Sequence, residues 1–350
     1  MEAMIMSESI KNRSEILFLY DIKDANPNGD PLDENKPRID EETRINIVTD
    51  VRLKRTIRDY LMNFKNIDIF VKEIIYDKEG HIQDAKLRAK DFVGLIGNEE
   101  IEGKEVINKF KKGEKISKKY VEVIKNNITQ NITKKAIDIR LFGATIPLEF
   151  SKEEIVEKIS NPIKLAATLT GPAQFRMGRS LHKVELKHIK GTGAFASKKG
   201  ATQKTFREED ILPYSLICFY GIINENAAQH THLTEDDVLL LLEGIWNGTK
   251  NLISRSKFGQ IPRLLLKVNY KEENYHLGDL DKLVKIKNIE NIQEEKIRDI
   301  DEIELDASEL VEILNKNKEK IGSIDLKINN RVKINLEGIN ATIKMNDLVF

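Results

Sequence analysis

Residues 15–20 (EILFLY) are followed almost at once by residues 23–31 (KDANPNGDP), and this change from apolar residues to turn formers decides how the fold begins. The apolar and aromatic run predicts a buried strand. The second run holds two prolines, which lack a backbone N–H, and Gly29, which tolerates a positive φ. We therefore expect an irregular polar loop directly after the first strand.

A helix is predicted to follow this loop. Thr49 or Asp50 has the side chain of an N-cap residue, and residues 51–61 place apolar side chains at helical spacing. The apolar face consists of Leu53, Ile57, Tyr60 and Leu61. A long polar loop between two packed elements often carries binding residues, and the start of a helix favours an anion such as phosphate.

Later segments repeat the order of strand and helix. Residues 67–76, 211–220 and 261–268 are predicted strands, and residues 152–160 suggest a short helix. Thr234 begins a capped helix, whose apolar stripe consists of Val238, Leu241, Leu242, Ile245 and Trp246. Two strand–helix–strand units predict an α+β fold with the ferredoxin-like arrangement of RNA-recognition motifs.

Positive charge is concentrated in two segments of a chain whose net charge is zero. Residues 103–135 hold ten Lys against three Glu, and residues 161–207 hold ten Lys and Arg against one Glu. The first segment is either a solvated helical face or a basic insertion that touches phosphates. In the second, Val184 and Leu186 precede a flexible basic loop and Thr205 and Phe206 follow it, which predicts a protruding hairpin.

The cysteine count and the hydropathy indicate the cellular compartment of the protein. Cys218, the one cysteine, lies in an apolar run, so an intrachain disulfide is excluded and a reducing compartment, the cytosol, is expected. No apolar run reaches the length of a membrane span. We therefore expect a cytoplasmic protein without a membrane partner.

Motifs for common catalytic chemistry are missing. The sequence has no Walker loop, no Gly-x-Ser-x-Gly elbow and no Cys/His cluster. Residues 24–29 (DANPNG) match the first half of an EF-hand calcium loop, but Asn35 occupies the position of the bidentate Glu. We expect no metal, no cofactor and no catalytic residue.

Several motifs together resemble the backbone proteins of CRISPR Cascade complexes, the Cas-seven family, in particular its type I-B branch. The motifs are residues 24–31 (DANPNGDP), 35–38 (NKPR), 49–58 (TDVRLKRTIR), 138–144 (DIRLFGA), 170–175 (TGPAQF) and 254–257 (SRSK). The likeness runs from about residue 15 to residue 268 and is weakest in the lysine-rich insertion and after residue 271. Arg44 departs from the pattern, because relatives often have glycine there.

The resemblance implies a single elaborated domain over residues 1–350. Its palm would resemble an RNA-recognition motif, with a helical finger insertion at about residues 81–135, a protruding β-hairpin thumb at about residues 182–206 and a C-terminal extension at 271–350 that completes the core. Many copies would polymerise along a guide crRNA, beside other Cascade subunits, and present the guide for pairing with target DNA in antiviral defence. Such a subunit grips phosphates and leaves base edges free.

Carried over position by position, the resemblance gives candidate contacts to the guide RNA. Those near the first loop and helix are Asn26, Arg38, Thr49, Lys54 and Arg55. Those after the Gly-Pro turn are Gln174, Arg176, Arg179 and Ser180, and those of the last loop are Arg255, Ser256 and Lys257. Charge rather than motif selects Lys198 and Lys199 in the thumb, and Phe195 is the candidate for a residue that wedges between bases.

Two other functions stay open on the sequence. Related subunits of type III systems cleave target RNA with an acidic loop residue, which makes Asp24 or Asp30 the candidate of a metal-dependent endoribonuclease acting on guide-paired RNA. The chain could also be an oligomeric scaffold that binds no nucleic acid.

Overall fold

The structure is a computed structural model that describes residues 8–94, 101–196 and 204–350, with the backbone alone at 101–103, 192–196 and 204–207. The chain divides into two compact units. The first unit consists of Met1–Lys11, Leu61–Ala173 and Asn224–Leu241, and the second of Asn12–Tyr60, Gln174–Ile223 and Leu242–Phe350.

Helices and strands alternate along the described residues. The helices are α1 (Asp50–Lys65), α2 (Ala85–Lys90), α3 (Ile101–Lys112), α4 (Val121–Lys135), α5 (Ile137–Phe142), α6 (Glu225–Thr231), α7 (Glu235–Lys250) and α8 (Ser308–Lys316). The strands are β1 (Ser14–Ala25), β2 (Gly29–Asp30), β3 (Lys36–Pro37), β4 (Ile45–Val48), β5 (Gly143–Phe150), β6 (Ile163–Thr170), β7 (Ala173–Phe175), β8 (Gly178–Lys183), β9 (Lys187–Ala196), β10 (Lys204–Ile223), β11 (Ile261–Tyr270), β12 (Lys285–Ile286), β13 (Leu305–Asp306), β14 (Ile321–Ile328) and β15 (Lys344–Asp347). The predicted α+β class is confirmed.

The largest sheet is built around β1, in the order β15-β14-β11-β1-β10-β8-β4. Strand β1 pairs antiparallel with β10 and with β11, so that Phe18 lies opposite both Phe219 and Leu265. The pair β14–β15 is parallel, which makes the sheet mixed. Strand β1 has neighbours on both edges, and its residues 14–22 are all buried, as the apolar run predicted.

The predicted apolar faces of the two long helices are confirmed. Leu53, Ile57, Tyr60 and Leu61 of α1 and Val238, Leu241, Leu242, Ile245 and Trp246 of α7 are buried. Within the second unit the helices approach closely: a Cβ built on Gly244 would stand 2.9 Å from Ile57 Cγ2, and one on Gly248 would stand 3.1 Å from Tyr60 Cβ. Larger residues at these two glycines would force the helices apart.

The core of the second unit includes residues of the C-terminal segment. Leu17 and Leu19 of β1 belong to one buried cluster with Leu310 and Leu314 of α8 and Ile324 of β14. Side chains of the C-terminal segment therefore pack against side chains of the central strand β1.

Residues 67–76 do not form the predicted strand, and the reason lies in α5. The buried Asp138 carboxylate accepts hydrogen bonds from Phe70 N at 2.8 Å and from Val71 N at 3.0 Å. Arg88 Nη2 donates to Ile69 O at 2.7 Å. Side chains thus satisfy backbone groups that a sheet neighbour would otherwise bind.

The predicted helix at residues 152–160 is also wrong. Ile116 N donates to Glu154 O, and Val156 N donates to Ile116 O, at 2.9 Å each. The segment thus bonds to the chain before α4 and does not form a helix. Ile155, buried at this bridge, joins the core of the first unit, in which α2, α3 and α4 pack against the β5–β6 hairpin.

Strands β9 and β10 form an antiparallel hairpin in the region where the sequence predicted one. Lys187 pairs with Ile211 at its base, and Ala196 pairs with Lys204 at the far end of the described part. In the part of the chain that the structure describes, no helix has the length and apolar character needed to span a membrane.

Candidate nucleic-acid interface

The loop after β1 is fastened by the side chain and backbone of Asn26. Asn26 N donates to Ser256 O at 2.8 Å, and its Nδ2 donates to Asn35 O at 2.7 Å. Gly29 packs so tightly on Asn35 that a Cβ would stand 2.1 Å from Asn35 Oδ1. Asn26 itself is 3% exposed, so this predicted contact residue lies beneath the loop surface.

The start of α1 is tied to the same loop. The Thr49 hydroxyl caps the helix by accepting from Arg52 N at 3.2 Å. Asn28 Oδ1 accepts from both Thr49 N and Thr49 Oγ1, at 2.9 Å each. Sequence reasoning did not select Asn28 as a site residue, although an Asn directly before a loop glycine is a signal for a side chain that bonds nearby backbone.

The loop after α7 meets the loop after β1 through Lys257. Its Nζ donates to Asn26 O at 3.1 Å. Burial, and then the charge of Arg52, lowers the pKa of the Lys257 ammonium. Arg255, two residues earlier in the sequence, is exposed and forms an ion pair with Glu209 at 3.1 Å. Two loops far apart in sequence are therefore held as one surface.

The segment after the Gly-Pro turn joins this surface through α1. Lys54 Nζ donates to Asp50 Oδ2 at 3.0 Å and to Gln174 Oε1 at 3.1 Å. Gln174, Arg176 and Arg179 are exposed. The predicted residues of three sequence regions thus lie in the second unit and are connected by direct contacts.

Ser180 has an inward role in the structure. It is 5% exposed, its hydroxyl donates to His182 O at 2.6 Å, and the same oxygen accepts from Asn46 N at 2.9 Å. Its predicted contact with RNA would require these bonds to change.

A groove of about 510 Å³ opens beside the first loop. Polar residues at its wall include Asp30, Lys36, Arg38, Arg44 and Thr49, and apolar residues include Ile39, Ile47, Met177 and Leu186. Arg44 has a φ of 61°, in the left-handed region that favours glycine.

Six of the predicted cationic contacts are paired with carboxylates. The pairs are Arg38–Asp30 at 2.7 Å, Lys54–Asp50 at 3.0 Å, Arg55–Asp59 at 2.8 Å, Arg176–Asp279 at 2.5 Å, Arg179–Asp40 at 3.7 Å and Arg255–Glu209 at 3.1 Å. Arg176, Arg179 and Arg255 are the most exposed of these cations. Ion pairs at a surface contribute only about 0–1 kcal/mol, so a phosphate competes readily for these three. Lys198, Lys199 and the side chain of Phe195 lie outside the described residues.

The comparisons with known proteins agree with the sequence motifs. Residues 12–308 match the family of CRISPR-associated protein Cas7. The CRISPR-associated protein Cas7 of Haloferax volcanii is 32% identical over 331 residues, which cover 93% of this chain and 89% of that protein. The chain therefore belongs to the Cas7 family, as its motifs predicted.

A solved structure gives the corresponding result for the fold. A chain of a "CRISPR RNA-guided surveillance complex, pre-nicking" aligns with a TM-score of 0.55 and 13% identity, and the alignment covers 96% of each chain. At that identity the likeness concerns the fold alone.

Proposed function

We propose that this protein is a non-catalytic backbone subunit of a type I CRISPR Cascade complex. In this role it binds the guide crRNA through phosphates in the cytoplasm, assembles with further copies of itself and with other Cascade subunits, and presents the guide to target DNA in antiviral defence. Membership of the Cas7 family supports the proposal. The type I-B branch, which the motifs favour, is part of it.

The strand order supports a palm of the RNA-recognition type. In that arrangement two β-α-β units interleave antiparallel strands, which places the first strand at the centre. Here β1 lies between β11 and β10, and β8 follows on the far side of β10. Helix α1 comes after β1 in the chain and α7 comes between β10 and β11. Residues 81–135 would then be the fingers and 182–206 the thumb.

The observation that carries the proposal is the contact network of the candidate surface. Lys257 bonds the backbone of Asn26, and Lys54 bonds Gln174, so three regions of the sequence are joined within one unit. Arg176, Arg179 and Arg255 are each more than half exposed. Such exposed cations suit phosphate binding that does not depend on sequence.

The test is a titration of the full chain with single-stranded RNA over a salt series, with the mass of the complex recorded against RNA length. We expect log–log affinity to fall with a slope of about 0.7 per phosphate contacted, and mass to rise in steps with RNA length. Failure to bind RNA, or one protein per RNA at every length, would overturn the proposal.

A pair of charge-reversal variants sharpens this test. R176E/R179E should abolish the stepwise assembly. The control K285E/K287E makes the same change in net charge at two exposed lysines that pair with Glu309 and Glu304 and belong to no candidate contact. Equal losses in both variants would mean that net charge, and not this surface, drives binding.

The endoribonuclease remains the alternative function, with Asp24 or Asp30 as its acidic residue. Asp30 binds Arg38 at 2.7 Å and accepts from Leu32 N at 3.0 Å. Within the described residues, the one group of three side chains spaced to hold a metal does not include Asp24 or Asp30. Magnesium-dependent cleavage of guide-paired RNA that D24A or D30A abolishes, and D33A does not, would establish the alternative.

A further inference from the structure

The carboxylate of Asp279 bridges two cations at the edge of the candidate interface. Its Oδ1 lies 2.5 Å from Arg176 Nη1, and its Oδ2 lies 2.9 Å from Lys282 Nζ. Asp281 adds a second carboxylate, 3.6 Å from the same Arg176 nitrogen. A phosphate group binds cations in the same way, with separate oxygens facing separate donors.

Arg176 is held in place by contacts other than this ion pair. Its guanidinium carbon stands 4.8 Å from the centre of the Tyr220 ring, and its backbone N–H donates to Tyr220 O at 2.9 Å. The Tyr220 hydroxyl donates to the buried Glu15 carboxylate. The guanidinium therefore keeps its position over the ring when its carboxylate partner moves away.

The loop that carries Asp279 is anchored to the same buried carboxylate. Leu277 N and Gly278 N each donate to Glu15 at 2.8 Å. Gly278 and Asp279 follow in the left-handed region, with φ of 82° and 53°. Hydrogen bonds from Lys282 and Arg176 lower the pKa of the Asp279 carboxyl, so it is ionised at neutral pH. The fold thus holds the Asp279 carboxylate at a fixed place beside Arg176.

We propose that Arg176 and Lys282 form a phosphate-binding site of the guide-RNA surface, and that Asp279 is its specificity-determining residue because its carboxylate occupies the site until a nucleic-acid phosphate displaces it. This inference rests on the proposed function. It adds Lys282 to the RNA contacts, a residue of the segment 271–350 that belongs to none of the family motifs.

Competition between the Asp279 carboxylate and a phosphate for Arg176 determines which ligands bind. The side chains of Asp279 and Arg176 are 48% and 53% exposed, so their ion pair is screened and weak. Displacing it still costs free energy at every copy on the guide. A strand held by neighbouring contacts supplies that free energy, whereas an isolated phosphate does not. Asp279 therefore favours long RNA over free anions and over short fragments.

The experiment compares D279N with the wild-type chain. Asparagine keeps the shape of the side chain and tolerates the left-handed conformation, so the loop should stay folded. E309Q is the matched control, since Glu309 pairs with Lys285 at 2.6 Å with similar exposure and its change adds the same charge. The probe is a labelled single-stranded RNA of fixed length, titrated over a salt series, with inorganic phosphate as a competitor.

D279N should bind the RNA up to about fivefold more tightly than E309Q, which is the range of a surface ion pair. Its salt slope should be steeper by up to about 0.7, since a phosphate contact is no longer offset by a released carboxylate. Inorganic phosphate should compete better against RNA on D279N than on the wild type. Adding R176A to D279N should remove the gain, and K282A alone should weaken binding.

The outcomes separate this inference from the function on which it rests. Wild-type protein that binds RNA, together with D279N that binds no more tightly than E309Q, overturns the role of Asp279 and leaves the scaffold function standing. A gain in D279N that persists after R176A would place the effect elsewhere on the surface. Wild-type protein that binds no RNA overturns the proposed function itself.

Discussion

Lys54 Nζ lies 3.1 Å from Gln174 Oε1, although 120 positions separate the two residues in sequence. The contact joins the first turns of α1 to the segment that follows the Gly-Pro turn. Lys54 also bonds Asp50 on its own helix, at 3.0 Å. Two motifs that looked separate in the sequence are therefore parts of one surface, with a partly shielded ammonium between them.

This arrangement predicts the effect of K54A. Loss of one phosphate contact should weaken RNA binding and lower the salt slope by about 0.7, because one cation fewer releases counterions from the strand. Lys54 lies at the edge of the apolar face and is not part of it, so thermal unfolding should change little. The measurements are an RNA titration over a salt series and a melting curve.

K287A is the control for K54A. Lys287 is half exposed and pairs with Glu304, so its removal changes net charge equally at a position outside the candidate contacts. A large fall in melting temperature for K54A would show that the contacts of Lys54 with Asp50 and Gln174 stabilise the fold and that the residue is structural.

A second prediction concerns which face of the protein meets RNA. Arg179 lies on β8, is 55% exposed and stands 3.7 Å from Asp40. R179E should reduce RNA affinity more than R58E, because Arg58 is on α1 outside the carried-over contacts. Both variants change net charge by the same amount. Equal losses of affinity in the two titrations would mean that the wrong face has been chosen.

Local patterns predicted the elements whose contacts are local. The stripes on α1 and α7 were predicted from apolar spacing and the Thr234 cap from its capping pattern, and the structure confirms both: Asp237 N donates to Thr234 Oγ1 at 3.2 Å. The strand predicted at 67–76 was wrong, because Asp138, far along the chain, accepts the N–H groups of Phe70 and Val71. No pattern within 67–76 reveals a partner that far away.

In the candidate interface too, features set by neighbouring residues were predictable, and features set by residues far away in the sequence were not. Thr49 and Asp50 were the two candidates for the N-cap of α1, and the structure shows that Thr49 is the cap. An N-cap depends on the residues next to it, so local sequence narrows the choice this far. The burial of Asn26 depends on Ser256 and Asn35, and the pairing of Arg176 depends on Asp279. Motif matching finds that such residues matter but does not tell which of them face solvent.

Asp138 yields a prediction about stability. D138A would leave two backbone N–H groups without their acceptor, one of them on the buried Phe70. An unsatisfied buried donor costs about 1–3 kcal/mol, so the free energy of unfolding should fall by at least that much. D138N, which keeps one acceptor oxygen, should fall between D138A and wild type. Chemical denaturation monitored by circular dichroism measures these differences.

Glu149 is the control for D138A, because its carboxylate is exposed and its ion pair with Lys164 is long, at 3.7 Å. E149Q removes one negative charge from the same unit and should leave the unfolding transition nearly unchanged. If D138A were no less stable than E149Q, the hydrogen bonds from Phe70 N and Val71 N to Asp138 would not be what holds residues 67–76 in their irregular course.

His182 predicts how the stability depends on pH. The ring is 1% exposed and stacks on Tyr214, its Nδ1 lies 2.8 Å from Lys183 O, and its Nε2 accepts from Leu216 N at 3.2 Å. Both contacts suit a neutral ring with its proton on Nδ1. Burial lowers the pKa of His182, although the hydrogen bond to Lys183 and the charge of Glu294 act in the opposite direction.

The sign of the effect follows from proton binding. With its pKa lowered in the folded state, His182 stays neutral while the unfolded chain takes up a proton below about pH 6.5. Stability is therefore complete above that pH and falls as the pH drops, by up to about 1.4 kcal/mol per pH unit for one proton. H182Q offers a donor and an acceptor but does not titrate. Between neutral and mildly acidic pH, the free energy of unfolding should decrease less for H182Q than for the wild type. The other histidines are the same in both proteins, so the difference reports on His182. Parallel pH profiles for the two proteins would mean that His182 accepts its proton in the folded state, against the geometry of the Leu216 contact.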